Sequence, residues 1–149
     1  MQDQPQQFQR GDFTVTTDRQ QIDFAAALAL LRRTSWGGSL TLDVLERAAT
    51  NSVCFGLYEG QALIGFARAV SDLATYAYLT DVVVDEPKRG LGLGRWLVEC
   101  ILAHPDLQNL RRIALLTSNA QALYLSFGFA ADTDNKTYME LRYHSQNKP

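Results

Sequence analysis

One stretch, residues 78–102, constrains the fold of this chain more than any other. It begins with a run of β-branched residues and ends with apolar residues at helical spacing, so a strand should lead into a helix. Between them Gly90, Gly92 and Gly94 occupy alternate positions, with basic side chains on either side. Glycine lets the backbone turn tightly and approach a ligand closely. Together with the unpaired N–H groups of a new helix, this pattern predicts an anion site, most often one for phosphate.

The glycine spacing excludes two common phosphate-binding motifs. A dinucleotide fingerprint needs Gly-x-Gly-x-x-Gly, but its third glycine would fall on Arg95 or Leu97. A P-loop needs Gly-Lys-Ser or Gly-Lys-Thr, and the sequence contains neither. The chain instead has Arg-x-x-Gly-x-Gly, formed by Arg89, Gly92 and Gly94. Taken alone, this turn is also compatible with a plain connection in which glycine acts as a spacer.

Composition excludes several other classes of protein. The chain has 149 residues, of which 46% are apolar and 20% charged, the balance of one ordinary globular domain. The net charge of −2 is unlike the basic surface of a nucleic-acid binder. No apolar run approaches the roughly 18 residues of a membrane span, and the Gln-rich start lacks the apolar core of a signal peptide. We therefore expect a soluble, cytoplasmic protein without nucleic-acid or membrane partners.

The cysteines and histidines suggest no metal site and no disulfide. Cys54 and Cys100 lie in apolar segments and are typical of buried core thiols. His104 and His144 lack ligand-like neighbours. We expect neither cysteine to act as a nucleophile.

The rest of the chain alternates between strand and helix patterns. We expect a mobile tail over residues 1–10 and a single domain over 11–149. The predicted strands cover 13–17, 53–58, 62–70, 76–84, 112–117 and 137–143. The predicted helices cover 18–33, about 41–49, 91–103 and 120–127. Short links between the second, third and fourth strands indicate an antiparallel meander, and the helix that follows indicates a parallel crossover.

This order of elements resembles the GNAT superfamily of N-acetyltransferases over residues 11–143. Two motifs carry the resemblance: the loop 89–94, which follows Val84, and the run 119–129, which looks like the family's Asn…Ala-x-x-Leu-Tyr-x-x-x-Gly-Phe helix. One departure is Glu86, where the family often has proline. The resemblance implies a mixed α/β fold with a central mixed sheet of six to seven strands. An antiparallel meander would precede a parallel, splayed pair, with helices on both faces.

The resemblance also implies that acetyl-CoA, the co-substrate, binds between the splayed strands. The backbone of Val82 and Val84 would pair with the pantetheine amides like a substitute strand. Asn119 would bond the same arm, although its residue type is equally typical of a helix cap. The loop would hold the pyrophosphate through its N–H groups and neighbouring cations. The predicted loop residues in contact with the cofactor are Arg89, Gly90, Leu91, Gly92, Leu93, Gly94 and Arg95.

Tyr124 is the candidate general acid. When an amine attacks a thioester, the thiolate that leaves can be protonated by a nearby phenol. Tyr124 lies where family members carry that residue, against the bound cofactor, and its alternative role is a core aromatic. Asp81, one residue before Val82, is the candidate general base, acting directly or through water, with a structural hydrogen bond as the alternative. We expect direct transfer in a ternary complex, without an acyl-enzyme.

Trp36, Arg68 and Tyr78 are weaker candidates for the acceptor site. Trp36 follows the first predicted helix, and Arg68 could meet a substrate carboxylate or simply lie exposed. The main prediction is acetyl transfer to a primary amine of a small molecule. Acetylation of a protein N-terminus or lysine, and a non-catalytic acyl-CoA-binding module, stay open as alternatives. The last strands of such folds often pair across a homodimer, and the sequence leaves the oligomeric state open.

Overall fold

The computed structural model describes residues 4–131 and 136–143. The chain divides into two compact units, 1–115 and 116–149, and the single domain expected over 11–149 stays a prediction. Within the described residues, the strands are β1 (Gln7–Arg10), β2 (Phe13–Thr16), β3 (Ser52–Glu59), β4 (Ala62–Ser71), β5 (Tyr76–Val84) and β6 (Arg112–Ala114). The helices are α1 (Phe24–Arg32), α2 (Leu42–Ala49), α3 (Leu93–Ala103) and α4 (Gln121–Leu125).

The first unit is built on one sheet of six strands, whose spatial order follows the chain from β1 to β6. Neighbours from β1 to β5 are antiparallel, and β5 pairs with β6 in parallel. This arrangement confirms the predicted meander followed by a parallel pair. Since α3 connects β5 to β6, the parallel pair is joined by a helical crossover.

Helices cover both faces of the sheet, as predicted. On one face, Cys54 of β3 and Phe66 of β4 pack in a core cluster with the buried side chains of α1 and α2. The next residue of β3, Phe55, points to the opposite face because side chains alternate along a strand. There its ring makes an edge-on contact with the ring of His104, the residue that ends α3. The core therefore lies in two layers, one on each side of the sheet.

The start of the chain differs from the sequence prediction. Residues 7–10, expected in a mobile tail, form β1, which pairs with β2 from Gln7↔Thr16 to Arg10↔Phe13. Glutamine is a weak strand former, so this strand depends on its neighbour rather than on local propensity. The cap of α1 is Asp23, whose carboxylate accepts a hydrogen bond from the Ala26 N–H. Asp18, the first residue of the predicted helix 18–33, instead accepts from the Gln20 N–H in the preceding turn.

The predicted last strand is wrong for this structure. Residues 136–143 have no regular secondary structure. Their large apolar side chains, including Met139 and Leu141, are exposed. Without a partner strand, the pattern alone does not form a strand. In the described part of the chain, no helix has the length and apolarity needed to cross a membrane.

Candidate active site

The parallel pair of strands separates early. β5 pairs with β6 only from Tyr76↔Arg112 to Tyr78↔Ala114, whereas β5 continues to Val84. From Leu79 onward, its β6 side has no strand neighbour among the described residues. Backbone N–H and C=O groups along such an edge can pair with an extended ligand.

A bulge interrupts the other side of β5. The register runs from Phe66↔Val83 to Arg68↔Thr80, so Asp81 and Val82 together stand opposite a single residue of β4. Asp81 has φ 57°, in the left-handed region. Bulges of this kind bend a strand and redirect its side chains and peptide groups. The bulge therefore includes Val82 and lies on the strand that carries both candidate pantetheine contacts.

The redirected Asp81 side chain binds Arg68, the candidate acceptor-site residue. Its Oδ2 atom lies 2.9 Å from the Arg68 Nε atom, and the two side chains are only 12% and 17% exposed. The alternative in which Arg68 lies exposed is therefore wrong. The Nη1 atom of Arg68 also donates to Ser52 Oγ at 3.0 Å, and Ser52 Oγ donates to the Ala48 carbonyl at 2.8 Å. The sequence offered no signal for this network, because its members are distant along the chain.

The glycine-rich loop follows the end of β5 as predicted. A short 3₁₀ turn, Glu86–Lys88, leads into it. Gly90 and Gly92 have φ 84° and 77°, which L-residues with a side chain rarely adopt. A Cβ atom at either position would meet no described atom within 4 Å, so the loop surface is open. Leu91 is exposed beside them, whereas Leu93 is buried and anchors the start of α3.

The first turn of α3 presents backbone donors beside two cations. Gly92 is its N-cap and, having no side chain, makes no capping hydrogen bond to the N–H groups of the first turn. The Arg89 Nε atom donates to the Val84 carbonyl at 3.1 Å, so the side chain bridges the loop and the end of β5. Arg95 is exposed within the same turn. An anion is favoured at such a position by the helix dipole and the N–H groups.

These features fit a long anionic ligand such as coenzyme A. The open cradle at Gly90 and Gly92 would admit a pyrophosphate close to the backbone, and the free edge of β5 would admit an amide-containing arm. One of the two expected backbone contacts already has a partner, since the Val84 carbonyl accepts from Arg89. A carbonyl oxygen has two lone pairs, so this bond does not exclude a second one.

The second unit carries Tyr124 and Asn119. Tyr124 is 8% exposed, its ring packs edge-on against Phe129 at 5.5 Å, and burial raises the pKa of its phenol. Gly128, with φ 95°, directly follows the predicted helix 120–127. Asn119 does not cap α4; instead Thr117 Oγ1 accepts from the Asn119 and Ala120 N–H groups. The side chain of Asn119 bonds to no described residue, so it is available to a ligand.

The remaining acceptor-site candidates belong to the first unit. Trp36 is 59% exposed in a compact loop between α1 and α2. The loop is held by Thr34 Oγ1, which donates to the Leu31 carbonyl and accepts from the Gly37 N–H. Gly37 is essential to it, because a Cβ atom there would lie 2.1 Å from the Leu31 carbonyl oxygen. Tyr78 is half-buried and is the last residue of β5 that pairs with β6.

Both cysteines are buried, as predicted, and poorly suited to nucleophilic attack. Burial raises the pKa of Cys54 to about 12, against a smaller opposing effect of Arg68. Burial likewise raises the pKa of Cys100 to about 12. At neutral pH both are therefore thiols rather than thiolates, and the thiolate is the reactive form.

Comparison with known proteins identifies the relatives of this chain. The model of the acetyltransferase (GNAT) family matches residues 22–129. A predicted acetyltransferase from Gibberella zeae is 32% identical over 141 residues, with 80% of each chain covered. The crystal structure of a predicted GNAT-family acetyltransferase from Xanthomonas campestris pv. campestris is 39% identical, with a TM-score of 0.82 over 88% of this chain and 92% of the other. Glucosamine-6-phosphate N-acetyltransferase from Arabidopsis thaliana shares the fold, with a TM-score of 0.63 and 19% identity over 88% of this chain and 97% of the other.

Proposed function

The chain belongs to the acetyltransferase (GNAT) family, and from that premise we propose that it transfers the acetyl group of acetyl-CoA to a primary amine of a small molecule. Acetyl-CoA supplies the acetyl group as an activated thioester. The observation that carries the proposal is the free edge of β5 running into the open glycine loop. These two features offer backbone donors and acceptors in the order that an extended amide arm and a pyrophosphate require.

The residues of the first unit bind and orient in this proposal. The N–H groups of residues 89–94 and the side chains of Arg89 and Arg95 would hold the pyrophosphate. Val82 and Val84 would pair with the pantetheine arm along the β5 edge. Holding the thioester in a fixed position converts an encounter between two molecules into a reaction within one complex.

Tyr124 would donate a proton to the sulfur that leaves. Burial raises the pKa of this phenol, so it keeps its proton throughout the neutral range. A protonated group is what a general acid needs. Asn119 and Tyr124 lie five positions apart on either side of the start of α4, which lets one short segment supply a binding group and an acid.

Asp81 is the candidate to receive the proton of the amine, directly or through a water molecule. An alkylamine resembles lysine, whose pKa is about 10.4, so it carries a proton at pH 7 and must lose it to attack. Because Asp81 Oδ2 accepts from Arg68, the base function would fall to the other oxygen. Direct attack is favoured over an acyl-enzyme because both cysteines are protonated core residues.

A small acceptor is favoured by the loop between α1 and α2. The backbone of this loop packs closely at Gly37, and the loop carries the exposed indole of Trp36, which would form a wall of the acceptor site. The rival acceptor, a protein N-terminus or lysine, would need space for the flanking polypeptide. A non-catalytic acyl-CoA binder is the other alternative, and it would need no general acid.

The acceptor class can be tested by CoA release in the presence of acetyl-CoA and two matched panels. One panel contains free primary amines, and the other contains peptides that offer the same amine as an N-terminus or a lysine side chain. We expect release with members of the first panel and much slower release with the second. Faster release with peptides would favour a protein acceptor. Tight acetyl-CoA binding without release in either panel would favour the binding module.

A further inference from the structure

The ion pair between Arg68 and Asp81 has no part in the proposed proton transfer, which uses only the other carboxylate oxygen of Asp81. Asp81 occupies a left-handed backbone conformation, which costs energy for any residue with a Cβ, although Asp and Asn tolerate it best. Its carboxylate lies against Arg68 with little exposure to water. Water therefore screens the ion pair only in part, and the attraction between the two charged side chains offsets the backbone strain at Asp81.

Arg68 also links the bulge to a neighbouring helix. A guanidinium can only donate hydrogen bonds, and a serine hydroxyl has one proton to give. Ser52 Oγ must therefore accept a hydrogen bond from Arg68 and donate one to the Ala48 carbonyl, in the last turn of α2. The direction of each bond in this series is fixed. Arg68 is thus held on one side by Asp81 and on the other by the end of α2.

We infer that Arg68 is a positioning residue: through Asp81 it holds the β5 bulge in the form that presents Val82 to acetyl-CoA. The inference rests on the proposed binding of acetyl-CoA along this edge. Asp81 and Val82 together stand opposite one residue of β4. If the bulge were lost, the pairing on one side of it would shift by one residue, and the side chains there would point to the opposite face of the sheet. The Val82 backbone would then take a different orientation at the free edge. Arg68 acts on the cofactor site without touching the cofactor.

The role of Arg68 is tested by Arg68→Met, which keeps the length of the side chain but removes its charge and donors. We expect calorimetric titration to show acetyl-CoA binding weakened about tenfold, the order expected for a hydrogen bond to a charged group. Arg68→Lys should recover part of that affinity. The control Arg47→Gln removes another paired arginine, on the exposed face of α2, and should leave the affinity unchanged.

A core variant, Ile101→Val near the C-terminal end of α3, distinguishes a general loss of stability from the specific loss of the Arg68–Asp81 contact. Like Arg68→Met it should lower Tm, but it should leave the acetyl-CoA affinity unchanged. The inference is overturned if folded Arg68→Met binds as tightly as the wild type. It is also overturned if Ile101→Val lowers Tm as much as Arg68→Met does and weakens acetyl-CoA binding to the same extent. If the wild-type protein itself does not bind acetyl-CoA, the proposed function fails instead.

A second series at Asp81 keeps the inference testable if Arg68→Met does not fold. Asparagine tolerates the left-handed conformation and can accept from Arg68, glycine tolerates it without the bond, and alanine permits neither. We expect acetyl-CoA affinity to decrease in the order Asp81→Asn, Asp81→Gly, Asp81→Ala. Equal affinities for the glycine and alanine variants, or wild-type affinity for the alanine variant, would overturn the inference.

Discussion

The Arg89 side chain donates a hydrogen bond from Nε to the backbone carbonyl of Val84, 3.1 Å away. The two residues are five positions apart, on either side of the 3₁₀ turn that leads from β5 into the glycine loop. The bond uses one of the five N–H donors of the guanidinium, and the side chain remains exposed. Arg89 is therefore held at the junction of the two surfaces that we assign to acetyl-CoA, with donors remaining for a phosphate.

The first prediction concerns this arginine. We expect Arg89→Gln to weaken acetyl-CoA binding about tenfold, since a charge-assisted bond to phosphate is lost. The wild-type affinity should also decrease more steeply with added salt than that of the variant, because salt screens exposed charges. Calorimetric titration at two salt concentrations measures both effects. Arg47→Gln is the control for loss of an arginine elsewhere, and an Arg89→Gln variant with wild-type affinity would remove this residue from the site.

The second prediction is that alanine substitutions at Gly92 and Gly94 have different effects on stability. Gly92→Ala places a Cβ on a residue with φ 77°, which costs roughly 1–2 kcal/mol. We expect Tm to fall by about 3 °C and acetyl-CoA affinity to fall as the cradle fills. Gly11→Ala, with φ 58° in the turn between β1 and β2, is a control with the same strain and should lower only Tm. Gly94→Ala should not lower Tm, because its Cβ would make an ordinary contact with Val84 at 3.9 Å.

The third prediction tests the general acid. Tyr124→Phe keeps the ring that packs against Phe129 and removes only the hydroxyl. We expect kcat for CoA release to fall about a hundredfold or more, while the acetyl-CoA dissociation constant stays close to that of the wild type. Tyr143→Phe removes an exposed hydroxyl and serves as the control. Unchanged turnover in Tyr124→Phe would reduce this residue to a core aromatic.

Much of this architecture could be predicted from the sequence, because local chemistry specifies it. Runs of apolar residues mark β3, β4 and β5, and glycine is the residue type that most readily adopts the positive φ angles seen at Gly90 and Gly92. The failures involve distant partners. β1 depends on pairing with β2, and the bulge depends on a carboxylate reaching an arginine thirteen positions away. No periodicity reveals an ion pair across neighbouring strands, and Asp81 has no glycine to mark its left-handed turn.

The fourth prediction concerns stability and pH. His104 is buried, its Nδ1 atom accepts from the Asp106 N–H at 3.0 Å, and desolvation lowers its pKa below the ordinary 6.5. The native state therefore resists protonation, and below about pH 6.5 the unfolded chain binds more protons. We expect the free energy of unfolding to decrease as the pH falls from 7 to 5.5.

His104→Asn provides the matched comparison for this effect. The asparagine side chain can still accept from the Asp106 N–H as a cap, but it does not titrate. Urea unfolding across the same pH range should give a flatter profile for the variant, whatever its absolute stability. Parallel profiles for the two proteins would show that another group is responsible for the acid sensitivity.

The central claim is that the β5 edge and the glycine loop form a site for acetyl-CoA, and calorimetric titration with acetyl-CoA, ATP and NAD tests it most directly. We expect selective binding of acetyl-CoA near the micromolar range, about −8 kcal/mol, and weaker binding in Arg89→Gln and Gly92→Ala. If these two variants bind acetyl-CoA as tightly as the wild type does, the acetyl-CoA site lies elsewhere on the protein. Equal binding of all three ligands, or no binding of acetyl-CoA or another acyl-CoA, would contradict the claim.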